Sequence, residues 1–126
     1  MGGVKIYDFT AGRILVLGVT VDSIAITIDT NAIDAADGGD WAFGTAVPGA
    51  DGVLDGTAVD FCPATSVDAI TNVVSAALAA SAQFDGTTTA KDLYFNMLID
   101  DADVSATHTN LINGTATIQW INLGDY

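Results

Sequence analysis

The sequence predicts an all-β fold, an antiparallel β-sandwich, and three observations carry that expectation. Two runs near the C-terminus alternate: Leu93, Phe95, Met97 and Ile99 share one face of Lys91–Asp100, and Ala116, Ile118 and Trp120 share one face of Gly114–Leu123. All 16 acidic residues are Asp and none is Glu, a choice that favours turns over helices. The 13 Gly, with abundant Thr and Val, complete a composition suited to short strands and tight turns. Leu93, Phe95, Met97, Ile118 and Trp120 are therefore expected in one core, with the two runs paired antiparallel.

Taken in order, Val4–Phe9 alternates weakly and reads as a first strand. After Ala11-Gly12 comes Arg13-Ile14-Leu15-Val16-Leu17-Gly18-Val19, apolar on both faces. A sandwich strand normally gives only one face to the core, so the second face needs cover from another chain or a long loop. Arg13, Ile14, Leu15, Val16, Leu17 and Val19 are accordingly the expected interface residues. Ser23–Ile28 alternates, with Ile24, Ile26 and Ile28 inward, and Asp29–Asp40 reads as an exposed loop. Trp41–Val47 and Thr57–Phe61 are short strand candidates, the second closed by Pro63, which cannot donate to a ladder. Ser66–Ala82 reads as an irregular or short helical start followed by a strand from about Ala77 to Phe84. Leu54-Asp55-Gly56-Thr57, Phe84-Asp85-Gly86-Thr87 and Ile112-Asn113-Gly114-Thr115 share one turn signal, each leading toward a strand.

At 126 residues the chain is expected to form one domain, residues 1–126. Only Lys5, Arg13 and Lys91 oppose the carboxylates, for a formal net charge of −13, which disfavours nucleic acid and anionic membrane surfaces as partners. Asp8 interrupts any secretory-signal pattern, and no run of ~20 apolar residues would cross a bilayer as a helix. Cys62 is the sole cysteine, so no intrachain disulfide forms, and its neighbours Phe61 and Pro63 suggest a buried thiol.

Catalytic chemistry has little to stand on. His108 is the only histidine and sits among Ser105, Thr107, Thr109 and Asn110, with no Gly-x-Ser-x-Gly elbow to supply a nucleophile. Cys62 has no basic neighbour to lower its pKa, and the phosphate- and dinucleotide-binding glycine patterns are absent. Calcium is the one ion whose donor preference fits, at Asp34, Asp37 and Asp40 or at Asp100, Asp101 and Asp103. Neither cluster has EF-hand spacing, and both read as Asp-rich turns. The expectation is no enzyme, no catalytic residue, no cofactor and no metal.

Three stretches carry a resemblance. Tyr7-Asp8-Phe9-Thr10-Ala11-Gly12-Arg13-Ile14-Leu15-Val16-Leu17-Gly18, then Phe84-Asp85-Gly86-Thr87-Thr88-Thr89-Ala90-Lys91-Asp92-Leu93-Tyr94 with Asp100-Asp101-Ala102-Asp103, and the closing Trp120-Ile121-Asn122-Leu123-Gly124-Asp125-Tyr126 resemble the capsid decoration, or cement, proteins of tailed phages. The resemblance covers about half the chain, mostly its ends. It implies a β-sandwich or jelly-roll-like domain, a homotrimer, seated on the outer surface of the virion and bridging major capsid proteins. The interface would then be an oligomer or capsid contact. The rival expectation is a carbohydrate-binding or adhesin-like sandwich, with Trp41 and Tyr94 stacked on sugar rings.

Overall fold

The computed structural model describes residues 1–28, 31–32, 39–50, 53–66, 83–99 and 110–125. Among these the strands are β1 (Gly2–Asp8), β2 (Arg13–Ile28), β3 (Asn31–Ala32), β4 (Asp40–Gly44), β5 (Cys62–Ser66), β6 (Gln83–Asp85), β7 (Asp92–Leu98) and β8 (Asn110–Asn122). One sheet runs β1-β7-β4-β5. The other is built on the 16-residue β2, which pairs β8 along one side and β6 and β3 on the other. Every strand pair is antiparallel, and the sheets face each other across one core.

Alternation put the expected residues in that core. Leu93, Phe95 and Met97 are buried, and Ile118 and Trp120 pack against them. Their pairing is different from expectation. β7 lies between β1 and β4, β8 pairs β2, and the two patterned runs meet across the core from opposite sheets. Alternation states which face is apolar and leaves the hydrogen-bonded neighbour open.

The local structure differs from expectation at four places. Asn113-Gly114 makes no turn; both lie within β8, beside a register shift in β2 between Asp22 and Ala25 that lets the long ribbon bend. Thr57–Phe61 is not a strand: Gly56–Ala58 forms a 3₁₀ turn and β5 starts at Cys62. Pro63 sits inside β5 rather than closing a strand, because β5 is an outer strand and a missing N–H costs nothing on its free side. Asp29–Asp40, expected as a loop, contains the short β3. The Ser66–Ala82 prediction beyond Ser66, the Asp34, Asp37, Asp100, Asp101 and Asp103 carboxylates, and His108 lie outside the described residues.

An aromatic chain fills the interior. Phe9, between β1 and β2, meets Tyr7, Phe61, Phe84 and Trp120 at ring-centroid distances of 5.0, 5.9, 5.2 and 5.2 Å. Trp41, Phe43 and Phe95 form a second group at 5.5 to 6.2 Å. The one buried polar side chain among the described residues, Asn96, braces a loop: its Nδ2 donates to the carbonyls of Ala46 and Ala58 at 2.9 and 2.8 Å. Gly3 crosses directly over Asn96, and a Cβ there would collide with Asn96 Oδ1.

Candidate interaction surfaces

β2 divides the expected interface residues by face. Ile14, Val16 and Val19 are only 2, 5 and 3% exposed and point into the core, so they are corrected from interface to interior. A register shift between Val16 and Gly18 makes this possible. The extra residue moves the inward phase from even to odd positions, so Val16 and Val19 both face in although three positions separate them. Leu17, at the shift, is 52% exposed.

What remains outward is Arg13, Leu15 and Leu17, and β8 extends it. Leu15 pairs with Ile121 across the ladder, so both share the outer face, and Ile121 and Leu123 are exposed. Leu123 is tied to Arg13 by its N–H, which donates to the Arg13 carbonyl at 2.8 Å. Beside them a shallow depression of about 230 Å³ is lined by Arg13, Leu15, Phe84, Asp85 and Leu123. The surface is thus an apolar strip on a two-stranded ribbon with a cation–anion pair at its end, Arg13 Nε lying 3.9 Å from Asp85. Ile121 and Leu123 were not predicted, because only the β2–β8 register brings them next to Leu15.

Hydrogen bonds fix this end of the molecule. Asp85 accepts from Thr87 N–H at 3.0 Å and from the Thr87 hydroxyl at 2.6 Å, and these bonds, with Arg13 nearby, hold its carboxyl below the usual carboxylate range. Gly86 N–H donates to Gly12 O at 2.9 Å, and Asn122 Nδ2 donates to Thr10 Oγ1 and Ala11 O at 3.0 and 2.9 Å. Gly12, at φ +132°, fits this crowded turn because any Cβ would strike the Asn122 amide.

A second surface lies at the open side of the sandwich. There β1 and β8 flank a groove of about 430 Å³, walled by Val4, Ile6, Tyr7, Ala116 and Ile118 and floored by Phe43, Phe95 and Trp120. Midway along β1, Lys5 forms ion pairs with Asp8 and, at 3.1 Å, with Asp92. These hydrogen bonds to Asp8 and Asp92 raise the Lys5 pKa. The hydrogen bond with Asp8, and after it the one with Lys5, holds the Asp92 carboxyl below its usual range.

The other singled-out residues are placed as follows. Trp41 is 1% exposed, which removes it as a sugar platform, and Tyr94 is half-buried with its hydroxyl 3.3 Å from Asp92. Cys62 is buried, and desolvation pushes its thiol up to about 11. Among the described residues no three His, Cys, Asp or Glu side chains converge on one point. No protein-family model, curated protein or solved structure matches the chain.

Proposed function

We propose that this chain is a structural capsid decoration protein: a homotrimer that binds the outer surface of a phage head and stabilises contacts between major capsid proteins. The observation that carries the reading is the apolar outer face of the β2–β8 ribbon, where Leu17, Ile121 and Leu123 are exposed beside the half-buried Leu15. An apolar strip on a sheet face suits contact with another protein surface, where removing it from water supplies the driving force.

A second observation supports it. The stretches that resemble decoration proteins are far apart in sequence and converge at one end of the molecule: Arg13 pairs with Asp85, Leu15 with Ile121, and Gly86 bonds to Gly12. A shared surface explains shared phrases better than three separate turns do. With three basic residues against 16 Asp, the complementary positive charge belongs to the partner. The carbohydrate-binding alternative loses its principal stacking residue, since Trp41 is interior.

The test is cosedimentation of purified protein with capsids stripped of it, beside intact glycans and polysaccharides. Saturable recovery with capsids, at a stoichiometry set by the lattice, is the expected result. Recovery with polysaccharide alone would move the chain to the adhesin-like class.

A further inference from the structure

The seam between β1 and β8 has no role in the capsid contact just described, yet it brings together two strand edges that lack a partner among the described residues. Among the described residues β1 pairs only β7 and β8 pairs only β2, so each has one side whose N–H and C=O groups lack a described strand partner. All seven residues of β1 are exposed, with Val4, Ile6 and Tyr7 at 54, 42 and 43%. Free strand edges in natural proteins are usually blunted with Lys, Pro or an inward charge, because a bare edge invites another strand. β8 carries none of these: Asn110–Asn122 contains no charged residue and no proline. Among the described residues no charged side chain lines the groove either.

Charge identifies the occupant. Asp is one residue in eight of this chain, 16 of 126, yet none falls between Val104 and Gly124. A basic partner would be met by carboxylates; the described residues lining the groove offer none, and Asp8, at the end of β1, is already paired with Lys5. Two copies at −13 each repel, so they touch most closely where unpaired acid is absent, as it is along β8 and in the groove lining among the described residues. We infer that the β1–β8 seam is the self-association surface, and that the seam of one copy packs its apolar groove and bare strand edges against the seam of another. The contact joins strand addition along β1 or β8 to burial of Val4, Ile6, Tyr7 and Ile118. The inference rests on the homo-oligomer in the proposed function and moves its contact from β2 to the seam.

The experiment compares the wild type with Ala116→Lys and Ile6→Lys, both at exposed positions on opposite walls of the groove. Light scattering at micromolar concentration should give a multiple of the chain mass for the wild type and the mass of one chain for each lysine variant. Leu17→Asp, on the outer face, should keep the wild-type mass. In the wild type, amide exchange of residues 114–121 should slow as concentration rises through the association range, a readout that needs no variant. A wild type that stays a single chain overturns the inference, and so does protection of 114–121 only when capsids are added, which would assign the seam to a capsid strand. Lysine variants that keep the wild-type mass overturn the seam as the contact while leaving the decoration reading intact; loss of capsid binding by every form would do the reverse.

Discussion

Replacing Phe9 by Ala removes the ring that joins the two sheets. Phe9 is 3% exposed and touches four other rings, Tyr7 from β1, Phe61 before β5, Phe84 from β6 and Trp120 from β8. Deleting a buried Phe costs about 3 to 5 kcal/mol in transfer and cavity terms. The three edge-to-face contacts place Phe9 in the upper part of that range, about 4 to 5 kcal/mol. With an unfolding entropy near ~2.1 cal/mol/K per residue, a chain of 126 residues loses about 15 to 19 °C in melting temperature. Urea unfolding followed by tryptophan fluorescence, at one fixed protein concentration because association adds to apparent stability, measures the loss. Phe9→Leu, which keeps most of the volume, should cost less than about 1.5 kcal/mol. A loss below about 1 kcal/mol for Phe9→Ala would refute the idea that this cluster holds the sheets together.

Phe95→Ala, at the floor of the groove and against Trp41 and Phe43, should cost about 3 to 5 kcal/mol in the same assay; a loss under about 1 kcal/mol would place Phe95 at the surface. Asn96→Ala strips the donor from two carbonyls and should destabilise by about 2 to 4 kcal/mol, and unchanged stability would mean that water replaces the amide. Cys62 should resist thiol reagents at pH 8 until the chain unfolds. Its folded pKa, about 11, lies above the ordinary value of 9.0, so its contribution to stability is complete below pH 9 and is lost between pH 9 and 11. Cys62→Ala should remove that part of the alkaline decline, and an identical decline in the variant would contradict it. Asp85 should titrate below ordinary carboxylates in carbon-detected NMR, and Thr87→Ala should bring it back toward them.

How much was legible can be argued from particular residues. The period-two patterns at Leu93–Ile99 and Ile118–Trp120 identified core faces correctly, because burial acts on each side chain where it stands, while Ala116 at the start of the second run is exposed. They were silent on pairing, which depends on register between distant strands; the partner of Leu15 is Ile121, more than a hundred residues away. The two-sided run at Ile14–Val19 was a sound signal of an outer apolar face, but the shift at Leu17 determines which residues face out, and bulges leave no reliable mark in one sequence. Asn113-Gly114 and Pro63 misled for a common reason. Local turn and breaker preferences amount to about a kcal/mol, and a long ladder or a free edge overrides them. Phe9 was read only as the last residue of the weakly alternating Val4–Phe9 run; it lies just past β1, and nothing in that run marked it as the ring between the sheets.

The central claim, that the outer face of the β2–β8 ribbon binds the capsid, is tested most directly by the binding isotherm of Leu17→Asp on stripped capsids beside that of the wild type. Leu17 is half exposed on the free protein, so the substitution should leave the fold and the urea midpoint nearly unchanged. Burying the new carboxylate in an apolar contact should weaken binding at least a hundredfold, about 2.7 kcal/mol or more. Raising salt from ~0.1 to ~1 M should slow wild-type association more than it speeds release, since charge steering is screened and apolar burial is not. A Leu17→Asp isotherm that overlays the wild type would contradict the account.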